Sequence, residues 1–135
     1  MISRPNAFLR IALFADAAAS GATGLLMVAG AGPLSRLLAL PEPLLRWAGI
    51  LLLPFAILVW RVARPATPTR SAIVAIIVVN AVWVVDSFSL LLSGWVAPNA
   101  LGTAFVAAQA LAVGALAAAQ AVGLRMAARP HTAAA

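Results

Sequence analysis

Very few side chains in this sequence can do chemistry. Asp16, Glu42 and Asp86 are its acids, His131 is its one histidine, and cysteine and tyrosine are absent. Without cysteine there is no disulfide, thiol nucleophile or thiolate metal site. A single histidine cannot supply paired axial ligands to a haem. No nucleophile–base pair or metal-ligand cluster stands at catalytic spacing, so the expectation is a protein without enzyme activity, metal or cofactor.

What remains is a small set of polar groups inside long apolar runs. Asp16 lies about 13 Å into the first run at 1.5 Å per residue. A carboxylate at that depth in lipid must be neutral, paired or wet. It reads either as a proton- or cation-binding group or as a hydrogen-bonded acid that fixes helix packing. At 100° per residue Asn80, Trp83 and Ser87 share one helical face, while Asp86 lines up with Ser89 and Ser93. Trp83 is too deep for an interfacial belt and is expected to turn its indole N–H inward. Counted from their own helix ends, Asn80 and Gln109 come to depths near that of Asp16. Asp16, Asn80, Trp83 and Gln109 therefore make a candidate intramembrane polar site, which is either interhelical glue or a small-solute site. Asp86 and Arg46 are expected to form an ion pair. Gln120, near a helix end, calls for no special role.

The elements that carry these groups are legible from hydropathy. The chain has 135 residues, 64% hydrophobic and 9% charged, with a mean hydropathy of +1.07. No soluble domain of this size could hide so much apolar surface. Four runs, approximately 7–29, 44–62, 71–93 and 100–124, are long enough to cross a bilayer. The expected fold is an all-α membrane protein, one domain built as a four-transmembrane-helix bundle, with residues 125–135 a frayed tail. The first run also resembles a secretory leader, but Asp16 and the length of the run favour a retained span. Between the first two spans, Pro33 and Pro41 bracket a short apolar insert, read as an interfacial helix or an ordered loop. Pro54 falls mid-span and withholds an N–H from the carbonyl of Ile50, which predicts a kink. Small residues at four-residue spacing, Ala17/Gly21 and Ser20/Gly24 in the first span and Ala104/Ala108/Ala112 in the fourth, predict close packing of those two spans, within one chain or across a homo-oligomer seam.

The net charge of +6 comes with nine arginines and no lysine. These arginines sit at the ends of the runs and form no single basic face, which sets nucleic acid aside as a partner. Arg4, Arg10, Arg61, Arg64, Arg70, Arg125 and Arg129 fall on one side; Arg36 and Arg46 fall on the other. The positive-inside bias then puts both termini in the cytoplasm.

The segments Leu44-Leu45-Arg46-Trp47-Ala48-Gly49, Leu53-Pro54-Phe55-Ala56 and Asn80 through Gly94 resemble parts of uncharacterised small bacterial four-span membrane proteins, a group with no assigned activity. That resemblance covers the middle half of the chain and implies a bacterial inner-membrane location. Small multidrug exporters carry a glutamate in their first span, whereas the glutamate here, Glu42, is in a connector. The glycine-rich asparagine motif of small fluoride channels is absent. The expected role is structural, accessory or interaction-mediating, with the lipid bilayer and a membrane-protein partner or second copy as associates. The competing role is a small proton- or cation-coupled transporter or channel centred on Asp16.

Overall fold

A computed structural model describes residues 7–65 and 68–128. Arg4, Arg129, His131, the tail beyond residue 128 and the centre of the Pro65–Pro68 turn lie outside the described residues. Among the described residues there are five helices and no strand: α1 (Ala7–Ala29), α2 (Ala31–Leu38), α3 (Glu42–Ala63), α4 (Arg70–Ser93) and α5 (Ala100–Ala128). All but α2 are long and apolar enough to cross a bilayer. Even α3, with 22 residues, is about 33 Å long at 1.5 Å per residue.

Local signals close these helices. Pro43 sits in the first turn of α3, Glu42 near its N-terminus and Arg61 in its last turn, as ring geometry and the macrodipole favour. Gly94, in the left-handed region, ends α4. Asn99 Oδ1 accepts the Gly102 N–H at 2.8 Å and so caps α5. Pro54 lies on an exposed side of α3, and the helix continues through it to Ala63. The fourth long helix runs four residues beyond the expected 124, through Arg125 to Ala128. That extension proves decisive for the polar site.

The helices pack in the order α3–α1–α5–α4. Helix α1 is the hub, most extensively against α3 and also against α5; α4 packs on α5 and barely touches α3. The small residues of α1 thus serve α3 first, where the sequence suggested the fourth span. Gly24 meets Gly49 and Leu52, and Gly21 faces Ala56. Gly123 brings α5 against Leu9, and Gly114 faces Val84 of α4. In hydrocarbon, where burial supplies no driving force between helices, such close approach supplies dispersion contacts instead.

The interior holds two apolar clusters. One gathers Leu9, Leu13, Val59, Ile73, Ile76 and Leu124 at the end where α1 begins. The other gathers Met27, Leu38, Leu45, Leu52 and Val106 toward the opposite end. The outer surface is apolar too: Ile11, Leu51, Val85 and Leu111 are each more than half exposed. Water does not suit such a surface.

Helix α2 is tied to the start of α5. Asn99 donates its backbone N–H to the Leu38 carbonyl at 3.2 Å and its Nδ2 to the Leu37 carbonyl at 2.8 Å. A Cβ at Gly102 would collide with the Leu38 carbonyl oxygen, so only glycine admits this contact. Beyond α2 the chain turns at Ala39, with φ 55 and ψ 45. A left-handed non-glycine residue costs about 1–2 kcal/mol, and Ala39 is exposed, so little packing is at stake. We expect Ala39→Gly to raise stability by about 0.5–1 kcal/mol after the unfolded-state entropy cost. Reversible unfolding in mild detergent, wild type against variant, measures it; a lower midpoint would show that the turn is not strained.

Candidate functional site

Between the two apolar clusters, α1, α4 and α5 each contribute polar side chains to one sealed group. Asp16 and Gln120 are fully buried and Asn80 nearly so. Asn80 Nδ2 donates to Asp16 Oδ2 at 2.7 Å and to Gln120 Oε1 at 3.2 Å. Gln120 Nε2 donates to the same Asp16 Oδ2 at 2.8 Å. Ser20, one turn along α1, donates its hydroxyl to Asp16 Oδ1 at 3.1 Å. Three donors therefore stand around one carboxylate where water would otherwise be, and the ring closes through the Asn80–Gln120 bond. No buried side-chain nitrogen or oxygen among the described residues lacks a partner.

This group shares Asp16 and Asn80 with the expected one; Gln120 and Ser20 complete it, and Trp83 and Gln109 lie elsewhere. The sequence reading placed Gln109 beside Asp16 and Asn80; the structure brings Gln120 there instead. The reason is the length of α5. With the helix reaching Ala128, Gln120 lies about 12 Å from that end, comparable to Asp16 measured from Ala7. Measured to a terminus at 124, the same residue lies only about 6 Å deep. Gln120 and Ser20 are thus the members that sequence reasoning missed. Two signals pointed to them: Ser20 is four residues from Asp16, and Gln120 is the one polar side chain in the run from Ala115 to Val122. Gln109 and Gln120, eleven residues apart, also share a helical face, since eleven residues make close to three full turns.

Gln109 belongs to a second polar group, nearer the other end. Trp83 donates its indole N–H to Gln109 Oε1 at 2.7 Å. Gln109 Nε2 donates to Ser87 Oγ at 3.0 Å and to the Val106 carbonyl at 2.9 Å. Ser87 in turn donates to the Trp83 carbonyl at 2.7 Å. The group clamps α4 to α5.

Arg46 and Asp86 are not brought together. Arg46 pairs with Glu42, one turn away on the same helix, at 2.9 Å. The pair lies on a half-exposed surface, and exposed pairs of this kind contribute little to stability. Asp86 is exposed on α4, and no hydrogen bond or ion pair joins it to another described residue. It lines a cleft of about 340 Å³ where α3 and α4 part, together with Trp47, Leu51, Trp83, Leu90 and Phe105.

At the end where α1 begins, Arg10 donates to the Arg64 carbonyl at 3.2 Å, and the Arg64 guanidinium lies 4.5 Å from the Trp60 ring centroid. These cations are partly satisfied by a carbonyl and aromatic faces. Among the described residues no group of three or more His, Asp or Glu side chains is placed to hold a metal ion. The chain matches no family model, no curated protein and no solved structure.

Proposed function

We propose that this chain is a multi-pass integral membrane protein of the bacterial cytoplasmic membrane, with a structural, accessory or interaction role and no catalysis of its own. Both termini face the cytoplasm, as the arginine placement argues, and α2 rests at the outer interface. Its associates are lipid and another membrane protein or a second copy of itself. One observation supports this reading over proton- or cation-coupled transport. Asp16 is fully buried, with both carboxylate oxygens occupied by Ser20, Asn80 and Gln120. A coupling acid must meet water or substrate from each side in turn; a sealed one holds helices together.

The test is a proteoliposome assay with a pH-sensitive dye inside, comparing wild type and Asp16→Asn under imposed solute gradients. We expect the two to be indistinguishable, with neither moving protons. Proton movement in the wild type that disappears in Asp16→Asn would make the transport reading correct.

A further inference from the structure

We propose that the cleft between α3 and α4 is a binding site for a lipophilic organic monocation, with Asp86 as its counter-charge. The cleft exists because those two helices barely touch. Its volume of about 340 Å³ falls within the range of small-ligand sites, about 300–1,000 Å³. Leucines and aromatic rings make most of its wall, and Asp86 is the one ionisable side chain among the described residues that line it.

The polar part of the wall divides in two. Trp83, Ser87 and Gln109 are bonded to one another and to backbone carbonyls, so their side chains are held in place. Asp86 makes no bond within the described chain, and Arg46, the cation expected to neutralise it, is engaged by Glu42. An unpaired carboxylate is expensive at this depth. Asp86 stands seven residues before the end of α4 at Ser93, or about 10 Å along the axis. A ligand that brings one positive charge and an apolar body satisfies both parts of the wall. Trp47 and Trp83 also line the cleft, and aromatic rings attract cations that reach their faces.

That depth also decides between two sources of positive charge. The ammonium of a bilayer lipid stays at the headgroup level, above Asp86, whereas a lipophilic cation partitions below it. The site is therefore assigned to a free lipophilic cation rather than to a lipid headgroup.

The experiment uses the full chain in maltoside micelles and tetraphenylphosphonium as probe, followed by equilibrium dialysis and by quenching of tryptophan fluorescence. Tetraphenylborate, of the same shape and opposite charge, is the control ligand. We expect saturable binding of one phosphonium per chain, weakened about tenfold or more in Asp86→Asn, with no competition from the borate. Leu51→Trp, which narrows the cleft from α3 without touching Asp86, should weaken binding too. Asp16→Asn should leave it unchanged, and the unfolding midpoint of Asp86→Asn should match the wild type. Equal binding by wild type and Asp86→Asn, equal binding of the borate, or no saturable binding overturns the proposal. So does phosphonium binding that ethanolamine lipid abolishes and choline lipid does not, which would return the site to a headgroup. Should Asp86→Asn fail to fold, Leu51→Trp and the borate control decide alone. The binding assay involves no proton flux, so its outcome is separate from that of the proteoliposome test.

Discussion

Asp16→Leu will lower stability by about 2–5 kcal/mol, whereas Asp16→Asn will cost less than about 1 kcal/mol. Leucine removes the acceptor shared by Asn80 and Gln120 and strands the Gln120 amide in a sealed interior. Asparagine fits the same geometry. Its amide oxygen replaces Oδ2 and keeps both interhelical bonds, and its NH₂ donates to the Ser20 hydroxyl, which can accept as well as donate. Ser20 then turns its proton to a backbone carbonyl one turn back. Gln120→Leu should cost less than Asp16→Leu, because Asn80 keeps its bond to Asp16 and loses only the longer one to Gln120, while the carboxylate is left one donor short. The double variant should lose less than the sum of the two, since it removes both ends of a shared network. Reversible unfolding in mild detergent reads all four proteins. A large loss in Asp16→Asn would mean that the charge, and not the hydrogen-bond pattern, holds the layer.

The second large effect is at the α1–α3 seam. Gly49→Ala places a methyl 2.8 Å from the Gly24 carbonyl oxygen, 2.8 Å from Val28 Cγ2 and 3.0 Å from Met27 Cβ. The nearest obstacle is backbone, which cannot rotate away, so the helices must separate. Overpacking of this kind costs about 1–3 kcal/mol, against a gain of up to about 1 kcal/mol from better helix propensity. The net expectation is a loss of about 1 kcal/mol. Gly21→Ala, on the same seam, meets only Ala56 Cβ at 3.6 Å. That is ordinary contact, and the propensity gain should prevail. The pair is a strict comparison, because both substitutions add one methyl between the same two helices. Equal effects in an unfolding series would show that the seam is looser than its distances indicate.

Hydropathy made the four long helices legible, because a run that must cross lipid advertises its length in every residue. The connector between α1 and α3 was readable in part: Pro41 marked its end and Pro33 falls in the first turn of α2, but nothing local said that Asn99, some sixty residues on, would hold it. The polar layer was legible in the kinds of residue it needs and not in its full membership. Asp16 and Asn80 declared themselves as polar groups deep in apolar runs. Gln109 and Gln120 share one face of α5, so choosing between them depended on where that helix stops. Arg125, placed in the tail by the sequence reading, is inside the helix. The Arg46–Asp86 pairing failed for a different reason. Glu42 is one helical turn from Arg46, and a local partner forms without any cost of bringing two helices into register.

The sealed layer also sets a clock on synthesis. Asp16 and Gln120 are 104 positions apart in the chain. At about 5–20 residues per second, roughly 5–20 s pass between the appearance of the first and of the second. Until Asn80, 64 positions on, has been made, Asp16 has Ser20 alone among its eventual partners, and the ring closes only when Gln120 follows. The acid on α1 is thus fully satisfied only after most of α5 has been made, and until then the chain carries an incomplete polar group.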